Sequence, residues 1–212
     1  MKVGHHPSEG LWLDYASGQL DGASRRILES HLSVCTTCRN SGLALASPAE
    51  GFFSTRPAPP PPPSLLASLL AQVRRTSPAA GPTVGSERLP IPAAFWPTMP
   101  QLPSKGWRGA LCPGFRYLAI PQPEGTHLYL IHLRRGRRFP RHGHAGVERS
   151  VVLCGGLRDA EKTFEPGDFD EASLDHIHRP QALPDEDCWL LASLQGTLQF
   201  TGWRGWLQAL MT

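Results

Sequence analysis

The sequence lacks any long hydrophobic run, because no uninterrupted apolar stretch reaches the roughly 18 residues that a transmembrane helix needs. Its N-terminus also lacks the apolar core of a signal peptide, so we expect a cytoplasmic protein with no membrane partner. Neither sign of charge is in excess, since 21 Lys and Arg residues stand against 18 Asp and Glu residues and leave a formal charge of +3. That balance gives no support to nucleic-acid binding through charge.

Cysteine is scarce, and its five copies are odd in number. An odd count in a chain without a signal peptide argues against a disulfide framework. Proline and glycine are abundant, at 22 and 21 residues, and predict long loops or a linker. The 212 residues have room for one large domain or two small ones.

Proline divides the chain near residue 60. The segment 54–64 reads STRPAPPPPPS, and its five consecutive prolines favour an extended spacer over a helix or a central strand. Amphipathic patterns predict helices before this spacer and one more after it. The expected N-caps are Ser8, Asp21 or Ser24, and Ser64. We therefore predict a helical domain over residues 1–85 that includes the linker and the helix after it.

The second part of the chain has the sequence pattern of a β protein. From about Lys105, short runs with β-branched or aromatic residues alternate with turn signals. The predicted strand regions are 115–120, 126–134, 148–153, 188–194 and 197–200. Many short strands without a long helix predict a sandwich or barrel over residues 86–212. The expected fold is α+β with two domains, a helical bundle followed by an antiparallel β-barrel or jelly roll.

The N-terminal part carries a metal-ligand pattern, His31-x3-Cys35-x2-Cys38. On one continuous helix these positions share a face, so an imidazole and two thiolates would converge. Such a set suits tetrahedral zinc, with His5 or His6 as the fourth ligand, and would stabilise a helical domain that has little core. The alternatives are free thiols beside an exposed histidine, or a redox-active CxxC, which the lack of a βαβ pattern disfavours.

A second pattern, G-x5-H-x-H-x3-E-x6-G, runs from Gly136 to Gly155. It contains His142 and His144, whose spacing of two places both side chains on one face of a strand. Glu148 opens the next predicted strand. Two imidazoles and a carboxylate suit Zn, Fe, Mn or Ni, and a distant histidine would be the fourth ligand. The alternative is a set of solvated loop histidines.

This spacing resembles the first cupin motif. The turn Pro166-Gly167-Asp168 resembles the start of the second motif, so the resemblance implies a cupin-like domain that binds zinc or another divalent transition metal. Its fourth ligand would be His178, with His176 as the alternative. We favour His178 because it opens the segment His178-Arg179-Pro180 before a predicted strand.

The two patterns together resemble the ChrR-type anti-sigma factors, which join a zinc-binding anti-sigma domain to a cupin-like domain. The resembling pattern contains His6 with His31, Cys35 and Cys38 as the zinc ligands, and His5 stays the alternative to His6. The resemblance implies that the first domain binds and inhibits an extracytoplasmic-function (RpoE-like) sigma factor in a 1:1 complex, with the helix over 64–75 adding to the grip. The cupin domain would respond to an oxidative signal, such as singlet oxygen or an organic hydroperoxide, and release the sigma factor. The protein would then be a regulator of transcription and not an enzyme.

The main alternative is a metal-dependent cupin enzyme of the dioxygenase type with an accessory zinc domain. The helical domain and the spacer favour the regulator, because a dioxygenase has no need of them. Direct DNA binding is disfavoured, since Arg25-Arg26 and Arg39 are isolated and form no basic recognition helix. Some family members carry a second cysteine near the position of Cys188. Here Trp189 and Leu190 follow it, so a disulfide switch is not carried over.

Overall fold

The computed structural model describes residues 2–42, 62–75, 82–84, 86–109, 112–122, 126–174 and 176–201. Helices come first and strands follow from residue 83, which confirms the predicted α+β fold. We call these parts the helical half, up to residue 75, and the β half, from residue 82. The predicted spacer lies outside the described residues up to position 61. None of the described helices combines the length and the apolar character needed to cross a bilayer.

The helices of the described chain are α1 (Glu9–Ala16), α2 (Gly22–Val34), α3 (residues 36–42) and α4 (Pro63–Arg75). Two of the predicted caps are present. The Ser8 hydroxyl accepts a hydrogen bond from the Leu11 N–H at 3.4 Å, and the Asp21 carboxylate accepts one from the Ser24 N–H at 2.9 Å. These bonds satisfy N–H groups that have no partner within the helix. Gly18, with φ of 73°, ends α1 in the left-handed conformation that glycine adopts without strain.

The predicted cap of α4 is wrong by two residues, because the N-cap position is Pro62. This helix begins at Pro63, so Ser64 lies inside its first turn and does not cap it. Proline is favourable at a first helical position because its missing N–H would have had no helical partner there. The last proline of the run therefore belongs to the helix. Four leucines of α4 are exposed in this structure: Leu65, Leu66, Leu69 and Leu70.

All strand pairs of the β half are antiparallel within the described residues. The strands are β1 (Thr83–Val84), β2 (Glu87–Arg88), β3 (Arg108–Gly109), β4 (Phe115–Ile120), β5 (His127–Leu133), β6 (His142–His144), β7 (Glu148–Cys154), β8 (Leu157–Asp159), β9 (Lys162–Phe164), β10 (Phe169–Ala172), β11 (Gln181–Ala182), β12 (Cys188–Leu194) and β13 (Leu198–Phe200). The largest sheet has the order β10-β7-β12-β5-β4-β3, and smaller sheets pair β11-β8-β9 and β13-β6. The predicted strand regions correspond to β4, β5, β7, β12 and β13.

The large sheet is covered on both faces. Successive side chains of a strand point to opposite faces, and β5 uses both. Leu128 and Leu130 belong to the hydrophobic core that also contains Ile27 and Leu28 of α2. Tyr129, between those two leucines, lines an internal cavity on the other side. One face of the sheet therefore packs against the helical half, and the other encloses the interior of the β half.

The connection between the halves is part of the same core. Val84 of β1 and Phe95 of the 3-10 helix Ala93–Thr98 are buried in it. The 3-10 helix packs against α2, and its Phe95 shares a core with Leu118 of β4, so this connection contributes to the packing between the two halves. The predicted boundary between residues 85 and 86 falls in the turn of the β1–β2 hairpin, and the division into two domains stays a prediction.

The shared core yields a stability prediction. Leu130→Ala removes a fully buried side chain from beneath the helical half, and we expect it to lower the free energy of unfolding by about 2–5 kcal/mol. Urea denaturation followed by circular dichroism measures this loss. The control is Leu174→Ala at a side chain that is 60% exposed, which should cost less than about 0.5 kcal/mol. Equal losses in the two variants would contradict the core position of Leu130.

Two candidate metal centres

The first centre lies where the N-terminal arm meets the end of α2. His6 precedes α1, His31 lies in the last turn of α2, Cys35 follows that helix, and Cys38 lies in α3. One ligand atom from each residue lies within 4.8 Å of all the others. His31, Cys35 and Cys38 are buried, and His6 is exposed. This group could hold a metal ion.

The single helix predicted to carry this pattern is wrong. α2 ends at Val34, and Cys35 has extended backbone with φ of −91° and ψ of 102°. The Cys38 N–H donates to Cys35 Sγ at 3.4 Å, in the manner of a helix N-cap at the start of α3. His6 Nδ1 then lies 3.5 Å from Cys35 Sγ and 3.3 Å from Cys38 Sγ. A bend in the chain, and not a common helix face, brings the thiols together.

The two candidate histidines of the N-terminal arm point to different places. His5 Nε2 lies 3.1 Å from the Thr163 carbonyl oxygen, and its ring packs on Phe164 at a centroid distance of 4.5 Å. His5 is therefore directed towards β9. Its neighbour His6 is the one that joins the cluster.

His31 is held by the β half. Its Nδ1 donates to the Gly167 carbonyl oxygen at 2.7 Å, and this bond requires the proton to be on Nδ1. The lone pair is then on Nε2, which is buried and has no hydrogen-bond partner among the described residues. Gly167 has φ of 97°, a left-handed conformation that favours glycine at this turn. A buried, unpartnered Nε2 beside two thiols fits a metal ligand.

The neighbouring aspartate holds the N-terminal arm. Asp168 Oδ1 accepts hydrogen bonds from the Gly4 N–H at 2.7 Å and the His5 N–H at 3.0 Å. Asp168 Oδ2 accepts one from the Glu165 N–H at 2.7 Å, which fixes the carboxylate within its own turn. We call residues 165–168 the clasp turn. It positions the arm that carries His6.

The protonation of this cluster favours a cation at its centre. Burial raises the pKa of the Cys38 thiol to about 12, and the adjacent Cys35 adds to the rise. Burial lowers the pKa of His31, which keeps its imidazole neutral. Thiolates form in such a site only when a positive charge compensates them. Two thiolates and two neutral imidazoles are a donor set that suits zinc.

The second centre lies inside the β half. β6 carries His142 and His144, β7 begins with Glu148, and His178 lies in the segment before β11. Paired backbone bonds join His142 to His178, with the N–H of each donating to the carbonyl of the other at 3.0 and 2.9 Å. One ligand atom from each of the four residues lies within 4.8 Å of the others. This group could also hold a metal ion.

The imidazoles of this centre face one another through their Nε2 atoms. His178 Nε2 lies 3.0 Å from His142 Nε2 and 2.9 Å from His144 Nε2. His142 Nδ1 donates to the Pro140 carbonyl oxygen at 2.8 Å, so its Nε2 carries the lone pair. A cation between the rings would turn the facing lone pairs into ligands.

Glu148 and Asp159 add the carboxylates of this site. Glu148 Oε2 lies 3.1 Å from His144 Nε2, yet it is buried and makes no hydrogen bond with the described residues. Asp159 Oδ2 lies 2.7 Å from His178 Nδ1 and orients that ring. Asp159 is absent from the sequence prediction. The turn signal Gly155-Gly156 could have predicted a strand at β8, where Asp159 lies. The sequence alone does not show that this strand lies beside His178.

His176 takes a different position from His178. Its Nε2 lies 3.3 Å from Asp159 Oδ2, and its side chain is 47% exposed. His176, His178 and Asp159 also form a metal-capable trio. The structure nevertheless brings His178, and not His176, to His142 and Glu148.

Burial and neighbouring charges shift the pKa values of this centre in opposite directions. Burial lowers the pKa of His142 to about 3 and that of His144 to about 4, and in both cases His178 adds to the effect. Burial raises the pKa of Glu148 to about 7. Burial also disfavours protonated His178, but the hydrogen bond to Asp159 and the nearby carboxylates outweigh it and raise the His178 pKa. Glu148 and His178 therefore carry the protons that a metal must displace.

The clasp turn predicts a change in metal affinity at the first centre. Asp168→Ala removes the acceptor of two backbone N–H groups and frees the arm that carries His6. We expect the affinity for Zn²⁺ to fall by about 10–100-fold, the usual effect of losing a group that orients a ligand. Competition with a chromophoric chelator measures it. The control is Asp185→Ala at an exposed carboxylate, and an unchanged affinity in Asp168→Ala would refute the role of the turn.

The second centre should bind metal with a release of protons that depends on pH. The pKa of Glu148 is raised to about 7 and that of His178 is also raised, so both groups gain protons as the pH falls, while the low pKa values of His142 and His144 keep those imidazoles neutral. Metal binding should therefore weaken, and release more protons, as the pH falls from about 8 to about 6. Calorimetry with Mn²⁺ in buffers of different ionisation enthalpy measures this release, and Mn²⁺ avoids the thiols because it prefers oxygen and imidazole ligands. Equal proton release at both pH values would contradict the protonation of the metal-free site.

Comparisons with known proteins agree with this architecture. Residues 109–197 match the family described as the ChrR Cupin-like domain. The chain is 31% identical over 201 residues to the anti-sigma-E factor ChrR of Cereibacter sphaeroides, which covers 94% of this chain and 93% of that protein. The crystal structure of Rhodobacter sphaeroides SigE in complex with the anti-sigma ChrR contains a similar chain, with a TM-score of 0.66 and 28% identity over 92% of this chain and 100% of that one.

The similarity covers the helical half and the β half alike. It confirms the predicted cupin-like fold and the regulatory, non-enzymatic class of the relatives. The chain therefore belongs to the ChrR family of anti-sigma factors.

Proposed function

We propose that this chain is a cytoplasmic anti-sigma factor, which binds an extracytoplasmic-function (RpoE-like) sigma factor in a 1:1 complex and inhibits it. The observation that carries the proposal is the extent of the similarity to ChrR, 94% of the chain. A similar ChrR chain was crystallised in complex with SigE. The proposed division is a zinc-binding anti-sigma domain over residues 1–85 and a cupin-like sensor domain over residues 86–212.

The exposed leucines of α4 support the proposed contact with a sigma factor. Leu66 is 67% exposed, and its neighbours on the helix, Leu65, Leu69 and Leu70, are 41–48% exposed. A helix with four exposed leucines is more apolar than a free surface usually is. Amphipathic helices bind partners by laying such a face into an apolar groove. We propose that the sigma factor covers this leucine face.

We propose zinc at the first centre, held by His6, His31, Cys35 and Cys38. Bound there, the metal would join the N-terminal arm to α2 and α3 and so fix the shape of the sigma-binding domain. The proposed ligands of the second centre are His142, His144, Glu148 and His178, and they would hold zinc or another divalent transition metal. Three imidazoles and one carboxylate are compatible with several of these metals.

We propose that the cupin-like domain senses an oxidative signal, such as singlet oxygen or an organic hydroperoxide, and that the sigma factor is then released. Metal-binding thiolates are oxidisable, which supports the chemistry. The backbone supports a route between the centres, because Ala172 of β10 pairs with Glu148 of β7, and β10 directly follows the clasp turn. Release further requires that the two states differ in their contacts with sigma.

Capture of a partner tests this function. The full chain is co-expressed with each extracytoplasmic-function sigma factor of its own genome, and complexes are purified and weighed by light scattering. We expect a 1:1 complex with one of these factors and inhibition of its transcription with core RNA polymerase. The absence of a complex with every such factor would overturn the proposal.

The leucine face yields a prediction with a matched control. Leu66→Glu places a carboxylate in the centre of the proposed contact, and we expect the affinity for the captured sigma factor to fall by at least about a hundredfold. Leu174→Glu makes the same change at a leucine of the β half that is 60% exposed, and it should leave affinity unchanged. Surface plasmon resonance measures both. Equal affinities in the two variants would show that α4 is not a sigma contact.

Variants of the two centres should separate inhibition of the sigma factor from the response to oxidant. Cys38→Ala removes a buried thiol of the first centre, so we expect loss of one zinc per chain together with loss of sigma inhibition. His144→Ala removes a ligand of the second centre and should keep inhibition while losing the response to oxidant. Metal analysis and a sigma-dependent reporter measure both properties. Full inhibition by Cys38→Ala would contradict the organising role of zinc.

A further inference from the structure

An internal cavity of about 470 Å³ lies between the sheets of the β half, beside the second metal centre. We call it the barrel cavity. Small barrels normally fill their interior with side chains, so a space of this size left open by the described residues is unusual. Its volume lies in the range of small-molecule sites. The surface of its described walls is mostly apolar, and the residues that form it include Ile131, Leu133, Phe139, Leu157, Leu190 and Phe200.

The titratable side chains nearest the metal centre give the cavity a polar end. The carboxyl groups of Glu148, Asp159 and Asp170 lie close enough to His178 to raise its pKa. All four residues line the cavity. Among its described lining residues there is no Lys and no Arg. Three carboxyl groups beside His178 make this end unfavourable for a carboxylate-bearing ligand unless a metal ion lies between the imidazoles. The surroundings therefore disfavour a ligand with several charges.

The walls also disfavour a sugar or another polar body. Burying a polar group without a hydrogen bond costs free energy. Away from the metal centre, the polar side chains of the described walls are His127, Ser150, Thr197 and the hydroxyls of Tyr117 and Tyr129, which lie within a larger apolar surface. A hydrocarbon body gains free energy from the same walls. A metal ion held by three imidazoles and one carboxylate would bind an oxygen donor of a ligand only by taking a fifth ligand. The site would thus combine an apolar space with one point of attachment for an acidic head group.

We infer that the barrel cavity binds a medium-chain monocarboxylate. Its carboxylate faces the metal centre of His142, Glu148 and His178, and its hydrocarbon chain lies among Ile131, Leu157 and the other apolar walls. The assignment of the head group rests on the metal proposed above, whereas the assignment of the hydrocarbon chain does not. This binding site goes beyond inhibition of a sigma factor, and its test needs no sigma factor.

The experiment titrates decanoate into the full-length, zinc-loaded protein by calorimetry, with metal content measured on the same sample. We expect saturable 1:1 binding, and affinity at least about tenfold weaker after the metal is stripped. Acetate, which has the head group alone, should not bind measurably. Failure of the metal proposal would appear as an empty second centre. Failure of the present inference would appear as no saturable decanoate binding by a chain whose second centre is loaded.

A matched pair of variants locates the binding. Leu157→Trp fills part of the barrel cavity and should weaken decanoate at least about tenfold. Leu13→Trp makes the same change on α1 at a side chain that is 62% exposed, and it should bind as the parent does. Leu157→Phe adds less volume and should fall between them, and circular dichroism checks that each variant is folded. Unchanged affinity in folded Leu157→Trp overturns the site.

A neutral ligand tests the head group. 1-Decanol has the same chain length without the charge, so its affinity should be weaker and should not depend on the metal. Binding of 1-decanol that Leu157→Trp abolishes, without any binding of decanoate by the metal-loaded chain, would overturn the carboxylate assignment. Binding of neither ligand would overturn the whole inference.

Discussion

The imidazole of His31 is the contact on which the arrangement of the two halves depends. Its Nδ1 donates to the Gly167 carbonyl of the clasp turn at 2.7 Å, and its Nε2 faces the thiols of Cys35 and Cys38. The side chain is completely buried. One ring therefore belongs both to a metal centre and to the contact between the helical half and the β half. Asp168 adds a second tie through the N-terminal arm, so the metal site of the helical half is partly built by the β half.

The large sheet supports the contact between the helical half and the β half. Its outer face packs under α1 and α2, and its inner face borders the barrel cavity and the second centre. β7 shows both roles, because Glu148 belongs to the second centre while Val151 and Leu153 are buried in the shared core. A change in the position of β7 would therefore act on the core beneath the helices. That geometry places the second centre and the helical half on opposite faces of one sheet.

The local parts of this account could be predicted from sequence, and the long-range parts could not. His142 and His144 share a strand face because alternation has a period of two, which the spacing shows directly. The ligand pattern that ends at Cys38 was equally visible in the sequence. The end of α2 before Cys35 was not, because the spacing of apolar residues does not show that Cys35 Sγ accepts a hydrogen bond from the Cys38 N–H and so starts a new helix. The grip of Asp168 on the arm joins residues separated by 164 positions, and no local pattern encodes such a pairing.

The central claim is that a metal ion joins the N-terminal arm to α2 and α3. X-ray absorption at the zinc edge tests it most directly, on a His142→Ala, His144→Ala chain that retains only the first centre. The account predicts two sulfur ligands at about 2.3 Å and two nitrogen ligands at about 2.0–2.1 Å. A zinc ion without sulfur ligands, or a chain that retains no zinc, would contradict it.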